Sequence, residues 1–262
     1  LILQDRYEVD SQKLRQLGSG TYGTVLTGSI LGENTPVALK RMALPPITDG
    51  KARKRDESFV LRETEVYKTL GDHPNIIKLL DVRRDLEDNI YLVFPLVDND
   101  LLGILSYGDA FHLDAKQIAG YMKDLFTALA HCHAHNVIHR DVKCENILVT
   151  ADGQVKLADF GLAREMVADY AKYTNPVQTL YGRAPELLLG STNYDDRIDV
   201  WAAVCVVLQC VLRTPMLPGK SDENQLRLIY ELCGTPRNVA RDWPPELTEA
   251  ISKSMAIVGG PR

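Results

Sequence analysis

His139-Arg140-Asp141-Val142-Lys143-Cys144-Glu145-Asn146 puts a carboxylate, an ammonium and an amide into one short stretch. Asp159-Phe160-Gly161 and then Ala184-Pro185-Glu186 follow it. Each string has a mechanical role in phosphoryl transfer, and their order and spacing fit together. Asp141 can accept the proton of an attacking hydroxyl, Lys143 can neutralise a phosphoryl group in transit, and Asn146 with Asp159 can hold two magnesium ions. A chance match of all three strings is remote.

Upstream lies Gly18-Ser19-Gly20-Thr21-Tyr22-Gly23-Thr24-Val25, whose glycines let a backbone turn approach phosphate oxygens without side-chain obstruction. A dinucleotide site needs such glycines to open a helix. Here TYGTVLTGSIL continues with β-branched residues and another glycine, which predicts strand, turn, strand. Taken alone the string fits a plain Gly-rich hairpin equally well. Val37-Ala38-Leu39-Lys40 sets one lysine among apolar neighbours, which is costly unless an anion or carboxylate pairs with it. Glu63 on the following helix can supply the carboxylate, although Glu57 and Glu65 are near it in sequence.

Composition narrows the class. The 262 residues are 45% hydrophobic and 25% charged, an ordinary globular balance with length for one large domain or two lobes. Thirty Lys and Arg against 35 Asp and Glu speak against direct nucleic-acid binding. The longest apolar run, Val200 to Leu212, is interrupted by Gln209 and falls short of the ~18 residues of a membrane span, so it reads as a buried helix and no membrane partner is expected. Five scattered cysteines fit a reducing compartment.

From Tyr7 to about Leu96 the runs YEVDSQKLRQL, TVLTGSI, TPVALKRM, IIKLLDV and IYLVF predict strands, interrupted by one helix, SFVLRETEVYKTL. The charged run GKARKRDE at 50–57 reads first as a solvated loop before that helix, with a nuclear-import or docking patch as the alternative. Beyond Asp98 the pattern turns helical, with AKQIAGYMKDLFTALAHCHAH, IDVWAAVCVVLQCVL and DENQLRLIYELC, and VDND at 97–100 is the expected hinge. His131, His133 and His135 alternate, a spacing that puts neighbours on different helix faces, so they read as a helix end rather than a metal site.

With these strings the chain resembles the eukaryotic protein kinases from about Tyr7 to Pro236, and among them it looks most like the cyclin-dependent kinases. The narrower resemblance rests on LRE at 61–63, IYLVF at 90–94, KLADFGLAR at 156–164, TLYGRAPELLLG at 179–190 and PMLPGKSDENQLRLIYELCGTP at 215–236. The last is similar to the branch that acts in transcription elongation and phosphorylates the RNA polymerase II C-terminal tail. The implied fold is α+β and two-lobed: an N-lobe at 1–97 with a small antiparallel sheet and one main helix, and a mostly helical C-lobe at 98–262, shorter than the family's.

The resemblance implies ATP and Mg2+ as cofactors. Gly18, Gly20, Gly23, Val25 and Ala38 would cover the nucleotide, and Lys40, paired with Glu63, would hold its phosphates. Phe94 would be the gatekeeper, Pro95 and Val97 would meet the adenine through their backbone, and Asp100 would lie near the ribose. An acidic residue is common at 95, but proline keeps the carbonyl acceptor and loses only its N–H. Thr174 falls where an activating kinase would phosphorylate, with Arg62, Arg140 and Arg164 to gather the phosphate. Val177, Gln178 and Arg183 would form the site for the residue after the acceptor: the Gln178 carbonyl turns towards Arg183, leaving no acceptor for an N–H, which selects Ser/Thr-Pro. A cyclin would press on the LRE helix, and nuclear rather than cytoplasmic residence is expected.

Some positions depart from the family. Tyr181-Gly182 stands where Trp-Tyr is usual, Ala202 and Val204 replace Ser and Gly, Gln178 replaces valine, and the family's arginine partner for Glu186 is not found. These leave a second reading, a catalytically weak kinase fragment or pseudokinase that binds cyclin or nucleotide.

Overall fold

The computed structural model describes residues 2–3, 6–9, 18–20, 23–42, 50–97, 99–107, 112–166 and 173–258. Strands β1 (Ile2–Leu3), β2 (Tyr7–Val9), β3 (Gly18–Gly20), β4 (Gly23–Ile30) and β5 (Pro36–Met42) precede helix α1 (Gly50–Leu70); β6 (Asp81–Arg84) and β7 (Ile90–Pro95) follow it. They form one antiparallel sheet in the order β1-β2-β4-β5-β7-β6, with β3 paired to β4. Successive residues of a strand point to opposite faces, and directly paired residues share one. Val37 and Leu39 therefore pack with Leu26, Tyr91 and Val93 on one face, closed by Leu3, Tyr7 and Val9 of the β1–β2 hairpin. The other face carries the row Gly18, Val25, Lys40 and Leu92, with Ala38 paired to Phe94 beside it.

α1 packs beneath this second face. Val60, Glu63, Val66, Tyr67 and Leu70 are buried at helical spacing, and the helix stops at Gly71, whose φ of +61° suits glycine. Helix is continuous from Gly50, so the charged run at 50–57 belongs to α1 rather than to a loop. Lysines, arginines and glutamates are good helix formers, and a solvated helical turn costs such residues little. The expected strand IIKLLDV is also shorter than its apolar pattern: only Asp81–Arg84 pairs in the sheet, while Ile76 makes an isolated bridge to Leu157.

After β8 (Asn99–Asp100) the chain is mainly helical: α2 (Leu101–Ser106), α3 (Ala115–Ala134), then β9 (Val137–Ile138), β10 (Ile147–Val149), β11 (Val155–Leu157) and β12 (Arg164–Glu165) in two small sheets. α4 (Pro185–Leu188), α5 (Arg197–Leu212), α6 (Asp222–Cys233), α7 (Val239–Asp242) and α8 (Thr248–Val258) complete it. α3 opens with a capping box in which Asp114 and Gln117 bond each other's backbone N–H. One core runs from Leu92 and Phe94 of the sheet through Leu125 and Leu129 of α3 to Val206 of α5. α5 differs from the expected buried helix: Ala202, Ala203, Val206 and Cys210 are buried, but Val204 and Val211 are 45% and 60% exposed, because described residues cover only one of its sides. Asp98, within the expected hinge, and Asp10 to Leu17 of the first expected strand lie outside the described residues. Among the described residues no helix is long and apolar enough to cross a membrane.

Candidate active site

Lys40 reaches across from β5 to α1 and to the residue before Phe160. Its Nζ donates to Glu63 Oε1 and Oε2 at 2.8 and 2.9 Å and to Asp159 Oδ1 at 2.8 Å. Lys40 and Glu63 are buried. Burial alone would drive the proton off the ammonium, but the two carboxylates override it and hold the Lys40 pKa above its ordinary value. Burial also pushes the Asp159 carboxyl up, yet the charge and hydrogen bond of Lys40 prevail and keep it below the usual carboxylate range. For Glu63 desolvation wins, so its carboxyl is raised in spite of Lys40. Gly161 is required here by close approach: a Cβ would lie 3.2 Å from Asp159 Oδ1 and 3.4 Å from both Glu63 Oε2 and Lys40 Nζ.

The catalytic-loop stretch is suspended from α5. Asp199, fully buried, accepts from His139 N and Arg140 N at 2.8 Å each, and His133 Nε2 lies 3.1 Å from the same carboxylate. That anchorage holds Arg140 at a φ of +67°, a left-handed conformation uncommon for a bulky residue. Asp141 is then fixed from three directions: Thr179 Oγ1 donates to Oδ1 at 3.2 Å, Asn146 Nδ2 to Oδ2 at 3.1 Å, and Lys143 Nζ lies 2.8 Å from Oδ2. Burial would lower the Lys143 pKa, but the hydrogen bond and charge of Asp141 raise it. Tyr67 of α1 stacks edge-on against Phe160, and Phe160 against His139, tying α1 to the loop.

Across the sheet face above, Gly18, Val25, Ala38 and Phe94 form a shallow apolar roof whose inner end is Lys40. Gly20 pairs with Gly23 at the tip of the β3–β4 turn. Pro95 ends β7, and Val97 makes no backbone hydrogen bond to another described residue. Asp100 caps α2, accepting from Gly103 N at 2.8 Å. An apolar roof, a backbone at Val97 unpaired among the described residues, and an ammonium with carboxylate and amide oxygens at the other end suit a purine triphosphate with its divalent cation.

The segment before α4 holds Thr174, Val177, Gln178 and Arg183, whereas Arg62 lies on α1, Arg140 after β9 and Arg164 on β12. Arg140 donates to Thr174 Oγ1 at 3.3 Å and to Tyr194 Oη at 2.9 Å, and Tyr194 donates to the Thr174 carbonyl at 2.8 Å. Arg164 Nη1 bonds the Ala163 carbonyl. Arg62 lies over the Phe59 ring with Nη1 buried, and among the described residues Nη1 has no hydrogen-bond partner and no hydrogen bond links the guanidinium to Thr174. Gln178 has a φ of +66°, and its carbonyl accepts from Arg183 Nη2 at 2.9 Å, while Arg183 Nε donates to the Val177 carbonyl at 3.0 Å. Asp222 completes the arginine's partners. Glu186 makes no ion pair among the described residues, and burial raises its carboxyl pKa.

Sequence reasoning missed Thr179, Tyr194 and His133. All three act across tens of residues, with no local spacing to betray them. It also missed the Gln178 amide, which donates to the Ile198 carbonyl at 2.7 Å and accepts from Ala184 N at 3.0 Å. The substitution of glutamine for valine was the available signal.

Residues 11–256 match the protein kinase domain family. The chain is 37% identical over 248 residues to cyclin-dependent kinase C-3 of Oryza sativa subsp. japonica, covering 89% of this chain and 72% of that protein. It is 39% identical to cyclin-dependent kinase C-2 of Arabidopsis thaliana, of which it spans 47%. Against the CTD kinase subunit alpha of Schizosaccharomyces pombe it is 38% identical over 234 residues, 89% of this chain and 38% of the relative. Among solved structures, a chain of the CAK complex from Chaetomium thermophilum bound to ATP-gamma-S superposes with a TM-score of 0.81 at 31% identity, covering 97% of this chain and 82% of that one. The glycine-roofed cleft, the Lys40–Glu63–Asp159 contact and these matches together place the chain among the protein serine/threonine kinases, as a member of the cyclin-dependent kinase family.

Proposed function

We propose that this chain transfers the γ-phosphoryl group of ATP to a serine or threonine followed by proline, under control of a cyclin and of phosphorylation at Thr174 by an activating kinase. The observation that carries this is the closed contact of Lys40 with both Glu63 and Asp159, beside a carboxylate at Asp141 that three side chains aim. Gly18, Gly20, Gly23, Val25 and Ala38 cover the nucleotide. Phe94 stands at its rear, Pro95 and Val97 meet the adenine through the backbone, and Asp100 lies towards the ribose. Lys40 holds the α and β phosphates. Asn146 and Asp159 would hold Mg2+, which draws charge off the phosphate oxygens. Asp141 accepts the hydroxyl proton as the bond to phosphorus forms, and Lys143 neutralises the group in transit.

Arg183 occupies the Gln178 carbonyl, so a substrate N–H arriving there meets no acceptor, and proline has no N–H to strand. Phosphate on Thr174 would present new oxygens to Arg140, already bonded to that hydroxyl, and to Arg62, whose Nη1 is buried with no hydrogen-bond partner among the described residues. Leu61, 62% exposed on α1 beside Arg62, offers the cyclin an apolar contact. The CTD kinase relative points to the RNA polymerase II C-terminal tail as substrate and to the nucleus as the place of action. The lobes divide at 97/98. Closed contact of Lys40, Glu63 and Asp159 favours the enzyme over a binding module without catalysis. Phosphate transfer from γ-labelled ATP to a Ser-Pro peptide, measured with cyclin and Thr174-phosphorylated chain, tests the reading. Transfer well above that of Asp141→Asn is expected; equal counts would overturn it.

A further inference from the structure

The alternating histidines at the end of α3 separate in the fold. His133 turns to Asp199, whereas His131 and His135, one helical turn apart, share a face with His73 from the loop after α1. The three rings form one stack: His73 lies on His131 with centroids 4.4 Å apart and planes at 28°, and His131 lies on His135 at 4.2 Å and 40°. Hydrogen bonds fix each tautomer. Asn75 N can only donate, and it reaches His73 Nδ1 at 3.2 Å, so that nitrogen carries no proton. His131 Nε2 meets the Leu70 carbonyl and His135 Nδ1 the His131 carbonyl, each at 2.8 Å, so both of these nitrogens donate. The stack thereby grips the last residue of α1. Asn75 in turn is tied to β11, donating from Nδ2 to the Val155 carbonyl at 3.1 Å and accepting from Leu157 N at 2.8 Å. α1 carries Glu63, and β11 ends two residues before Asp159.

We propose that the stack of His73, His131 and His135 is a proton-operated latch: neutral, it holds the end of α1 against α3; protonated, it releases that end and slackens the contact of Glu63 with Lys40. A further proton on His73 can enter only at Nδ1, where the new N–H would face the N–H of Asn75 and break the turn that joins α1 to β11. A second cation in the stack would also be repelled by the first. The titratable and charged groups that face His73 are His131 and His135 from α3 and Lys156 from β11, whose Nζ donates to the Pro74 carbonyl at 2.8 Å. Asp72, on the same loop, is paired with Lys78. Burial, and then the charges of those three groups, hold the His73 pKa below its ordinary value. A histidine held down in this way contributes its stability in full above the ordinary value of about 6.5 and loses it as pH falls below. The latch stands apart from the kinase reading; its effect on phosphate transfer rests on that reading.

The test follows hydrogen exchange of the full chain between pH 7.5 and 5.5, corrected for the intrinsic rate, in peptides covering Tyr67 to Asn75. Phosphate transfer to a Ser-Pro peptide is read over the same range. In the native chain protection should fall several-fold, towards the roughly 10-fold limit for a site of ordinary pKa one unit below that value. His73→Asn separates the proton from the contact: its Oδ1 can accept from Asn75 N as His73 Nδ1 does, but it takes up no proton. Its protection should change less than about 2-fold, and its transfer should lose less than the native chain's as pH falls. Should that variant fail to fold, NMR titration of the native imidazoles decides, with His73 expected below its ordinary value and moved up in His135→Gln. Equal loss of protection in native and His73→Asn chains, or a native His73 that titrates at or above the ordinary value, overturns the latch. Exchange that follows His73 while transfer keeps one pH profile in both chains overturns its hold on Glu63. The expected exchange with no transfer at any pH refutes the kinase and leaves the latch.

Discussion

One ammonium serves two carboxylates at Lys40, and the three groups do not titrate independently. Removing the cation leaves Glu63 buried and charged beside Asp159. Lys40→Met should therefore lose phosphate transfer and also lose stability, by about 3–5 kcal/mol for a broken buried pair. The sign of its pH dependence follows from Glu63, whose folded pKa is already raised and rises further without Lys40. Such a group stabilises the fold below its unfolded pKa and loses that contribution as pH rises through the folded value. The melting deficit of Lys40→Met should accordingly be large at pH 8 and shrink towards pH 5; a deficit independent of pH would contradict the burial of Glu63. Asp141→Asn is the cleaner test of chemistry: it keeps the shape, and transfer should fall about 10²–10⁴-fold with the melting temperature little changed. Glu186 obeys the same linkage with the same sign, since burial outweighs the charge of Arg197 and raises its carboxyl, and no ion pair among the described residues offsets it. Glu186→Gln should raise the melting temperature at pH 7, and the gain should vanish near pH 4, where the wild-type carboxyl is protonated. At this scale the sequence was most legible, because Lys40, Asp141, Asn146 and Asp159 stand in strings whose residue types already state a chemistry. What it hid are the supports, Thr179 on Asp141 and His133 on Asp199, whose partners lie 38 and 66 residues away.

Helices announced themselves where one face had to be apolar. α3 and α6 were read within a residue of their observed ends, since each has a capping side chain, Asp114 and Ser221, just before an amphipathic run. α1 was read eight residues short, because Gly50 to Glu57 carries charge without apolar periodicity, so no hydrophobic signal marks its first turns. The short α2 was not read, although Asp100 is its cap. The turn at Gln178 belongs to this scale too. Its positive φ is tolerated by a residue without β-branching, and its buried amide bridges α5 to the start of α4 through Ile198 and Ala184. With the carbonyl committed to Arg183, the proposed reading expects any residue but proline after the acceptor to strand a donor, at a cost of ~1–3 kcal/mol, or roughly 5- to 150-fold. Rates on paired Ser-Pro and Ser-Ala peptides measure this directly. Gln178→Ala should narrow the ratio by freeing the turn, and equal rates on the two peptides in the native chain would refute proline direction while leaving the kinase chemistry standing.

Across the whole molecule, one helix stands out for the surface it leaves uncovered. The run from Val200 to Leu212 is apolar nearly all round, a composition suited to a helix enclosed on every side. Val200, Val204, Val211 and Leu212 are nevertheless 42%, 45%, 60% and 50% exposed. Beside them lies a cavity of about 660 Å³ lined by Ile118, Met122, Phe126 and Val207. Contiguous apolar surface of this kind drives association in water and is strengthened by excluded salts such as sulfate. The 262-residue chain should therefore self-associate as its concentration rises, and ammonium sulfate should promote the association, whereas contacts made by surface charges would weaken under salt. Val204→Glu with Val211→Glu places two charges on exposed positions of that face, so it should return the chain to a monomer in sedimentation velocity without lowering its melting temperature. Neither valine is among the side chains that touch Lys40 or Asp141, so phosphate transfer per monomer should stay at the native level. A double variant that still associates, or one that melts early, would mean that these valines are held by packing within the chain and that the face is not the adhesive surface.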